Sequence, residues 1–221
     1  DLAEDEEMTA TYATDDGDVI RIRMGVEVSN VPVAVDENNF KLQYAEAQTC
    51  DAGGLSWNDV GPIGAGGTPW RGYDNGSLTD GDALSTTTLS AATVLGTYEE
   101  ANASALFPNS IAVNAVVEHD WVLENNGANT NSSYCFRAVL SDGTTLGAYD
   151  TYPRVETNSA PGVPQIESPF DNAKVSDLTP ALTFVATDIA SDDIDYQVQI
   201  DDNFSFTSPV IDASSVTSPT A

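Results

Sequence analysis

Apolar and polar residues alternate along much of this chain. In "VIRIRMGVEVS" (19–29), Ile20, Ile22, Met24, Val26 and Val28 occupy every second position, with Arg21, Arg23 and Glu27 between them. Successive strand side chains point to opposite faces, so a period of two predicts a half-buried strand of an antiparallel sheet. Comparable runs recur at "FKLQYAEA" (40–47), "SIAVNAVVEHDWVLE" (110–124), "YCFRAVLS" (134–141) and "ALTFVAT" (181–187). Helical periodicity is nearly absent, and loops rich in Gly, Asn, Asp, Ser and Thr separate the runs. Many short strands divided by turn chemistry predict an all-β fold of antiparallel β-sandwiches.

The run at 134 carries the clearest local prediction. Tyr134, Phe136, Ala138 and Leu140 share one strand face; Cys135, Arg137 and Val139 share the other. Asp142-Gly143 then supplies the positive φ angles that tight hairpin turns require. The return strand would carry Leu146, Ala148 and Val155, closing a sheet with Tyr134 and Phe136 anchored in the core.

A Pro/Gly/Ser spacer, "TNSAPGVP" (157–164), interrupts the pattern, because neither a helix nor a central strand tolerates it. The chain is therefore expected to divide into a β-sandwich with long loops over 1–157, a linker over 158–163 and a second unit over 164–221. That second unit falls well short of the roughly 90–100 residues of a seven-stranded sandwich. It is expected to be partial, either a fragment or a sheet completed by another chain.

Charge changes the picture more than hydropathy does. Hydrophobic residues make up an ordinary 41%, but 35 Asp and Glu face 7 Lys and Arg, for a formal charge of −28. Such a chain repels phosphate backbones and anionic lipid, which argues against nucleic-acid partners. No run approaches the roughly 18 apolar residues of a membrane span, so no membrane insertion is expected. The opening "DLAEDEEMTA" has neither the basic nor the apolar region of a signal peptide. This fits an exported chain whose leader has been removed, or a piece of something longer. One cysteine pair with almost no lysine suits an oxidising exterior, so the expected location is extracellular or cell-surface.

Four groups of residues invite a chemical reading. Asp188, Asp192, Asp193 and Asp195 fall between two predicted strands, and Ca²⁺ takes six to eight hard oxygens of this kind. The spacing lacks the Gly and terminal Glu of an EF-hand, and an acidic turn in water is the competing reading. Trp57, Trp70 and Tyr73 lie in or near the polar loop "GTPWRGYDNGS", where rings beside amides could stack on a glycan; alternatively they pack over the loop's own small core. Asn75, Asn102, Asn131 and Asn203 stand in Asn-X-Ser sequons that permit glycosylation of an exported protein. The acids of "YEE" (Tyr98, Glu99, Glu100) are too ordinary here to make a glycosidase pair. His119, alone in an alternating strand with no matching nucleophile motif, reads as a surface residue rather than a base. "GAGGTPW" lacks the Lys-Ser/Thr of a phosphate-binding loop. No catalytic residue is assigned and no enzyme activity is expected.

Two stretches carry a resemblance. "YCFRA" followed by a turn and a last strand resembles strands F and G of fibronectin type III and related Ig-like modules, and "FKLQYAE" resembles their strand C. The fuller set "DGDVIRIRM", "FKLQYAE" with the following Cys, "WNDV", "PWRGYDN", "TYEEAN", "WVLENNG" and "YCFRAVLSDGTTL", over residues 17–157, resembles a module repeated in large secreted proteins of environmental bacteria. "SPFDNAKVSDLTPALTFVATD" and "DYQVQIDDNFSF" resemble, in part, Ig-like repeats of bacterial surface and adhesive proteins. The resemblance implies tandem sandwiches and carries no assigned activity. It also sets Cys50, after strand C, close to Cys135 in the neighbouring strand F, which implies a disulfide; two free thiols are the alternative. A lone histidine and the absence of C-x-x-C spacing argue against zinc.

The expectation from sequence is thus an extracellular structural or adhesive module, a segment of a cell-surface stalk or filament subunit that can assemble by strand addition. Its partners would be copies of itself or adjacent modules, and surface glycans; no cofactor beyond Ca²⁺ is suggested. The alternative is a carbohydrate-binding module of a secreted protein.

Overall fold

The computed structural model describes residues 14–35, 39–102, 105–106, 109–170, 172–188, 194–203 and 205–217. None of these is helical, and the strands lie in largely antiparallel sheets. The chain divides into two compact units, Asp1–Asn158 and Ser159–Ala221.

In unit 1 the strands are β1 (Val19–Glu27), β2 (Asn39–Glu46), β3 (Asn58–Asp59), β4 (Trp70–Gly72) and β5 (Val94–Glu99). They are followed by β6 (Ala105–Leu106), β7 (Val116–Asn125), β8 (Ser133–Leu140) and β9 (Arg154–Glu156). One sheet runs β1-β7-β4, with β5 also on β7; the other runs β3-β2-β8-β9, with β6 also on β2. Side chains from both sheets meet in one core. Ile22, Val26, Trp70, Val117, Trp121 and Leu123 come from the first, and Phe40, Leu42, Tyr44, Tyr134, Phe136 and Val155 from the second. Trp70 is the hinge of this packing: its ring meets Tyr134 at 5.6 Å and Phe136 at 5.2 Å edge-on, a favoured aromatic geometry.

The period-two reading of β1 matches its faces. Ile22 and Val26 are buried and Ile20 and Met24 half-buried, while Arg21, Arg23 and Glu27 are exposed. Tyr134 and Phe136 are buried in the core at 2% and 0% exposure. Asp142-Gly143 makes its turn with Gly143 at φ 90°, and the Asp142 carboxylate accepts the Thr144 N–H at 2.8 Å. Beyond it the return strand narrows to one bridge, Val139 to Thr145, and regular pairing resumes at β9 with Tyr134 opposite Val155. Of its expected apolar residues, Leu146 packs on the core and Val155 is buried, but Ala148 is exposed.

Three expectations need correction. The predicted strand 110–124 begins only at Val116, because Asn114 turns at φ 64°. "PWRGY", expected as loop, contributes β4, which pairs with the far end of β7. The pairing is not wholly antiparallel: β5 runs parallel to β7 with an irregularity between Leu95 and Tyr98. Glycine permits that approach, since a Cβ on Gly96 would lie 2.2 Å from the Glu118 carbonyl oxygen.

Unit 2 contains β10 (Gln165–Ser168), β11 (Thr183–Val185), β12 (Asp195–Ile200) and β13 (Ile211–Thr217). β10 pairs with β11 and β12 with β13, giving two separate two-stranded sheets. Phe184 on β11 meets Tyr196 on β12 edge-on at 5.1 Å. No described residue of this unit is buried, and Ile166, Phe170, Leu178 and Val210 are exposed.

Candidate functional site

Two side-chain assemblies in unit 1 hold five of its six Lys and Arg side chains. The first follows the alternation of β7. Val117, His119, Trp121 and Leu123 face the core, so Glu118, Asp120 and Glu124 necessarily share the opposite face. The register then sets cations beside them: Arg23 stands opposite Asp120, and Arg71 opposite Glu124. Arg21 and Arg23 both donate to the Asp120 carboxylate, Arg23 at 3.2 Å, and Arg71 Nε donates to Glu124 at 2.9 Å. Glu118 is 1% exposed and accepts the N–H groups of Thr88 and Leu89, at 2.7 and 2.8 Å, and the Thr88 hydroxyl at 2.9 Å. That carboxylate moors a long loop to the sheet. Glu100 accepts from the Asn75 N–H and the Tyr98 hydroxyl, and burial pushes the Tyr98 phenol up to about 12.

His119 is not a surface residue, as its isolation in sequence suggested. It is fully buried, 5.7 Å from the Phe40 ring and 5.6 Å from the Trp121 ring, and burial holds its pKa down at about 4. The Thr97 N–H donates to His119 Nδ1 at 3.3 Å, which places the imidazole proton on Nε2 in the neutral ring.

The second assembly lies on the outer face of the β2-β8 sheet. Cys50 and Cys135 form a disulfide across a sequence separation of 85, with Cα atoms 5.5 Å apart. It fastens the loop after β2 to β8, within one sheet's neighbourhood rather than between the sheets. Trp57, carried by that loop, lies under the Arg137 guanidinium at 4.2 Å and stacks on Tyr152, which stacks on Tyr149. Arg137 donates twice to Gln43 Oε1, and the Gln43 amide donates to Asp59, which also accepts from Lys41 at 2.7 Å. Burial alone would raise the Asp59 pKa, but its hydrogen bonds from Lys41 and Gln43 leave it below the usual carboxylate range.

The glycan set is therefore dispersed. Trp70 is fully buried and cannot face a ligand, a correction forced by its place between two sheets. Trp57 offers its face to Arg137 and its own aromatic neighbours. Tyr73, 37% exposed, remains at the surface. An open groove of about 490 Å³ is lined by Tyr44, Glu46, Asn58, Asn126 and Asn129, and Glu46 in it already accepts from Asn129 and Ser132.

Of the acidic turn, Asp192 and Asp193 lie outside the described residues; Asp195 opens β12 opposite Thr217. Among the described residues no three acidic, His or Cys side chains converge as a metal site. The sequons also differ from one another. Asn131 and Asn203 are exposed and Asn75 is half-buried. Asn102 is a structural clamp: its Oδ1 accepts the Leu42 N–H at 2.7 Å, and its amide donates to the Leu42 and Val60 carbonyls at 3.0 and 2.8 Å. A glycan on that nitrogen would replace bonds that join β2 to the following loop, so Asn102 is withdrawn as an acceptor.

Sequence reasoning passed over the β7 carboxylates. Their signal was present as acids at 118, 120 and 124, the last four residues beyond the second and on the same face. No known protein family, curated protein or solved structure matches the chain.

Proposed function

We propose that this chain is a non-enzymatic, extracellular structural or adhesive module, a segment of a cell-surface stalk or filament subunit. The observation that carries the reading is how unit 1 uses its charge and sulfur. All six of its Lys and Arg side chains, from Arg21 to Arg154, are engaged by acids, amides or rings that join strands and loops. The disulfide clamps the loop after β2 to β8. These contacts serve mechanical coherence rather than proton transfer. With its cations so engaged, the remaining surface is strongly acidic, which suits a module that repels anionic polymers.

We further propose that unit 1 is a sandwich of the fibronectin III or Ig type. The order β3-β2-β8-β9 is consistent with strands C′-C-F-G, and the antiparallel β1–β7 pair is consistent with B and E. In unit 2, two-stranded sheets with apolar side chains at the surface favour assembly by strand addition.

Single-molecule stretching tests the mechanical role. Under oxidising conditions the 85-residue span closed by the disulfide stays hidden from extension. Reductant should lengthen the unfolded contour by about 300 Å, at about 3.5 Å per residue. A unit that yields at negligible force while oxidised would overturn the reading. Labelling of intact cells with an antibody to unit 1 tests its location, and labelling seen only after lysis would exclude the surface.

A further inference from the structure

Strand β1 ends its sheet, and among the described residues no strand lies against its outer edge. Backbone bonds to β7 fall on even-numbered residues: Val28 N–H donates to the Ala115 carbonyl, and the Asp18 carbonyl accepts from Asn125 N–H. In an antiparallel ladder these groups alternate sides, so the N–H and C=O of Val19, Arg21, Arg23, Gly25 and Glu27 point away from β7. All five residues are exposed, and among the described residues nothing pairs with this edge. Nine residues of open edge form a template for another strand.

We infer that this edge binds the same edge of a second copy, as an antiparallel pair about a twofold axis at Met24. Its sequence is self-complementary in that register. Arg23 faces Gly25 of the partner strand, Arg21 faces Glu27, Ile22 faces Val26 and Ile20 faces Val28. The odd-numbered residues meet odd-numbered ones, which is the phase their outward backbone groups require. Apolar side chains stay on the core face and charged ones on the outer face, so two first sheets become one continuous sheet.

Charge selects a like partner here. The chain carries −28, yet β1 holds two of its seven cations beside Glu118 and Asp120, leaving a locally balanced patch. Arg21 donates to Asp120 through Nε and Nη2, which leaves Nη1 for a further carboxylate. Among the described residues Glu27 makes no hydrogen bond or ion pair. Two copies in this register give Arg21 and Glu27 two equivalent ion pairs. A slip that sets Arg23 opposite Glu27 shortens the ladder and centres it on Gly25, which has no side chain to contribute.

The inference rests on the strand-addition part of the proposed function and assigns it a site in unit 1. Met24→Cys brings the two introduced thiols together at a non-hydrogen-bonded pair, where Cα atoms approach to about 4.5 Å. Mild oxidation of the full chain, at up to about 1 mM and about 1 M salt to screen its net charge, should yield a disulfide-linked dimer of Met24→Cys. Ile20→Cys, whose partner position is Val28, should stay monomeric on the same non-reducing gel. Glu27→Pro, which deletes one outward N–H without touching the β1–β7 ladder, should abolish the dimer in sedimentation. Glu27→Arg should weaken it roughly tenfold. Equal crosslinking of both cysteine variants, or a wild-type chain that sediments as a monomer throughout, overturns the inference. A monomer that keeps its reductant-dependent stretching response would leave the mechanical reading standing.

Discussion

His119 sits where protonation is resisted from every side: Phe40 and Trp121 flank its ring, and Thr97 donates to Nδ1. Its folded pKa near 4 lies below the unfolded value of about 6.5. As pH falls through that window the unfolded chain takes up a proton that the native state refuses. Stability is therefore full above about pH 6.5 and declines by about 3 kcal/mol on the way to pH 4. Urea titrations across this range should show the slope, and His119→Gln should flatten it whatever its own cost. Asn102 makes the opposite kind of prediction. Asn102→Ala removes the acceptor of the Leu42 N–H and the donor to the Val60 carbonyl, while the Leu42 carbonyl keeps the Val60 N–H, and should lower the unfolding free energy by about 1–3 kcal/mol in the same assay. Neither role was legible from residue type. A histidine in an alternating strand and an asparagine in a sequon both read as surface residues until their neighbours are known.

At the level of elements, β8 is covered on both faces. Its core face packs Tyr134 and Phe136 under Trp70, and its outer face carries Cys135 and Arg137 beneath the loop that bears Trp57. Replacing both Cys50 and Cys135 with Ser removes a crosslink spanning 85 residues, with a chain-entropy limit of about 4–5 kcal/mol. Chemical denaturation should show a loss approaching that limit. Near-ultraviolet circular dichroism should change as well, because Trp57 loses the anchor that keeps it against Arg137. β7 illustrates how an element's two faces acquire separate tasks: one holds the core, and the other holds the loops through Glu118 and the neighbouring strands through Asp120 and Glu124. Asp120→Ala leaves Arg21 and Arg23 without their shared carboxylate, and thermal melting should fall by several degrees, consistent with about 1–3 kcal/mol.

For the whole molecule, the two units differ in how much they bury. Unit 1 gathers a two-sheet core with aromatic contacts and a disulfide, whereas unit 2 has no buried described residue. Limited proteolysis should therefore cleave within unit 2 first and leave a resistant fragment close to Asp1–Asn158. A fragment boundary inside β7 or β8 would contradict this hierarchy. The net charge of −28 adds a second whole-molecule effect. Screening the repulsion with salt should raise the melting temperature of the oxidised chain, in the sense opposite to that of a fold held mainly by exposed ion pairs.

Sequence by itself determined the all-β class, the placement of β1, β2 and β8 to within two residues, the inward faces of β1 and β8, and the turn at Asp142-Gly143. These are local properties: side-chain alternation every two residues and the positive φ of glycine act within a few positions, so patterns of a few residues reveal them. Tertiary structure decided the rest. It drew Trp70 out of a glycine-rich loop into the core, ran β5 parallel to β7, buried His119, and joined Arg21, Arg23 and Arg71 to acids 53 to 99 residues away. Those outcomes depend on which strand lies beside which and on which face a second sheet covers. Such relations between distant segments arise when a shared core closes, and no local pattern encodes them.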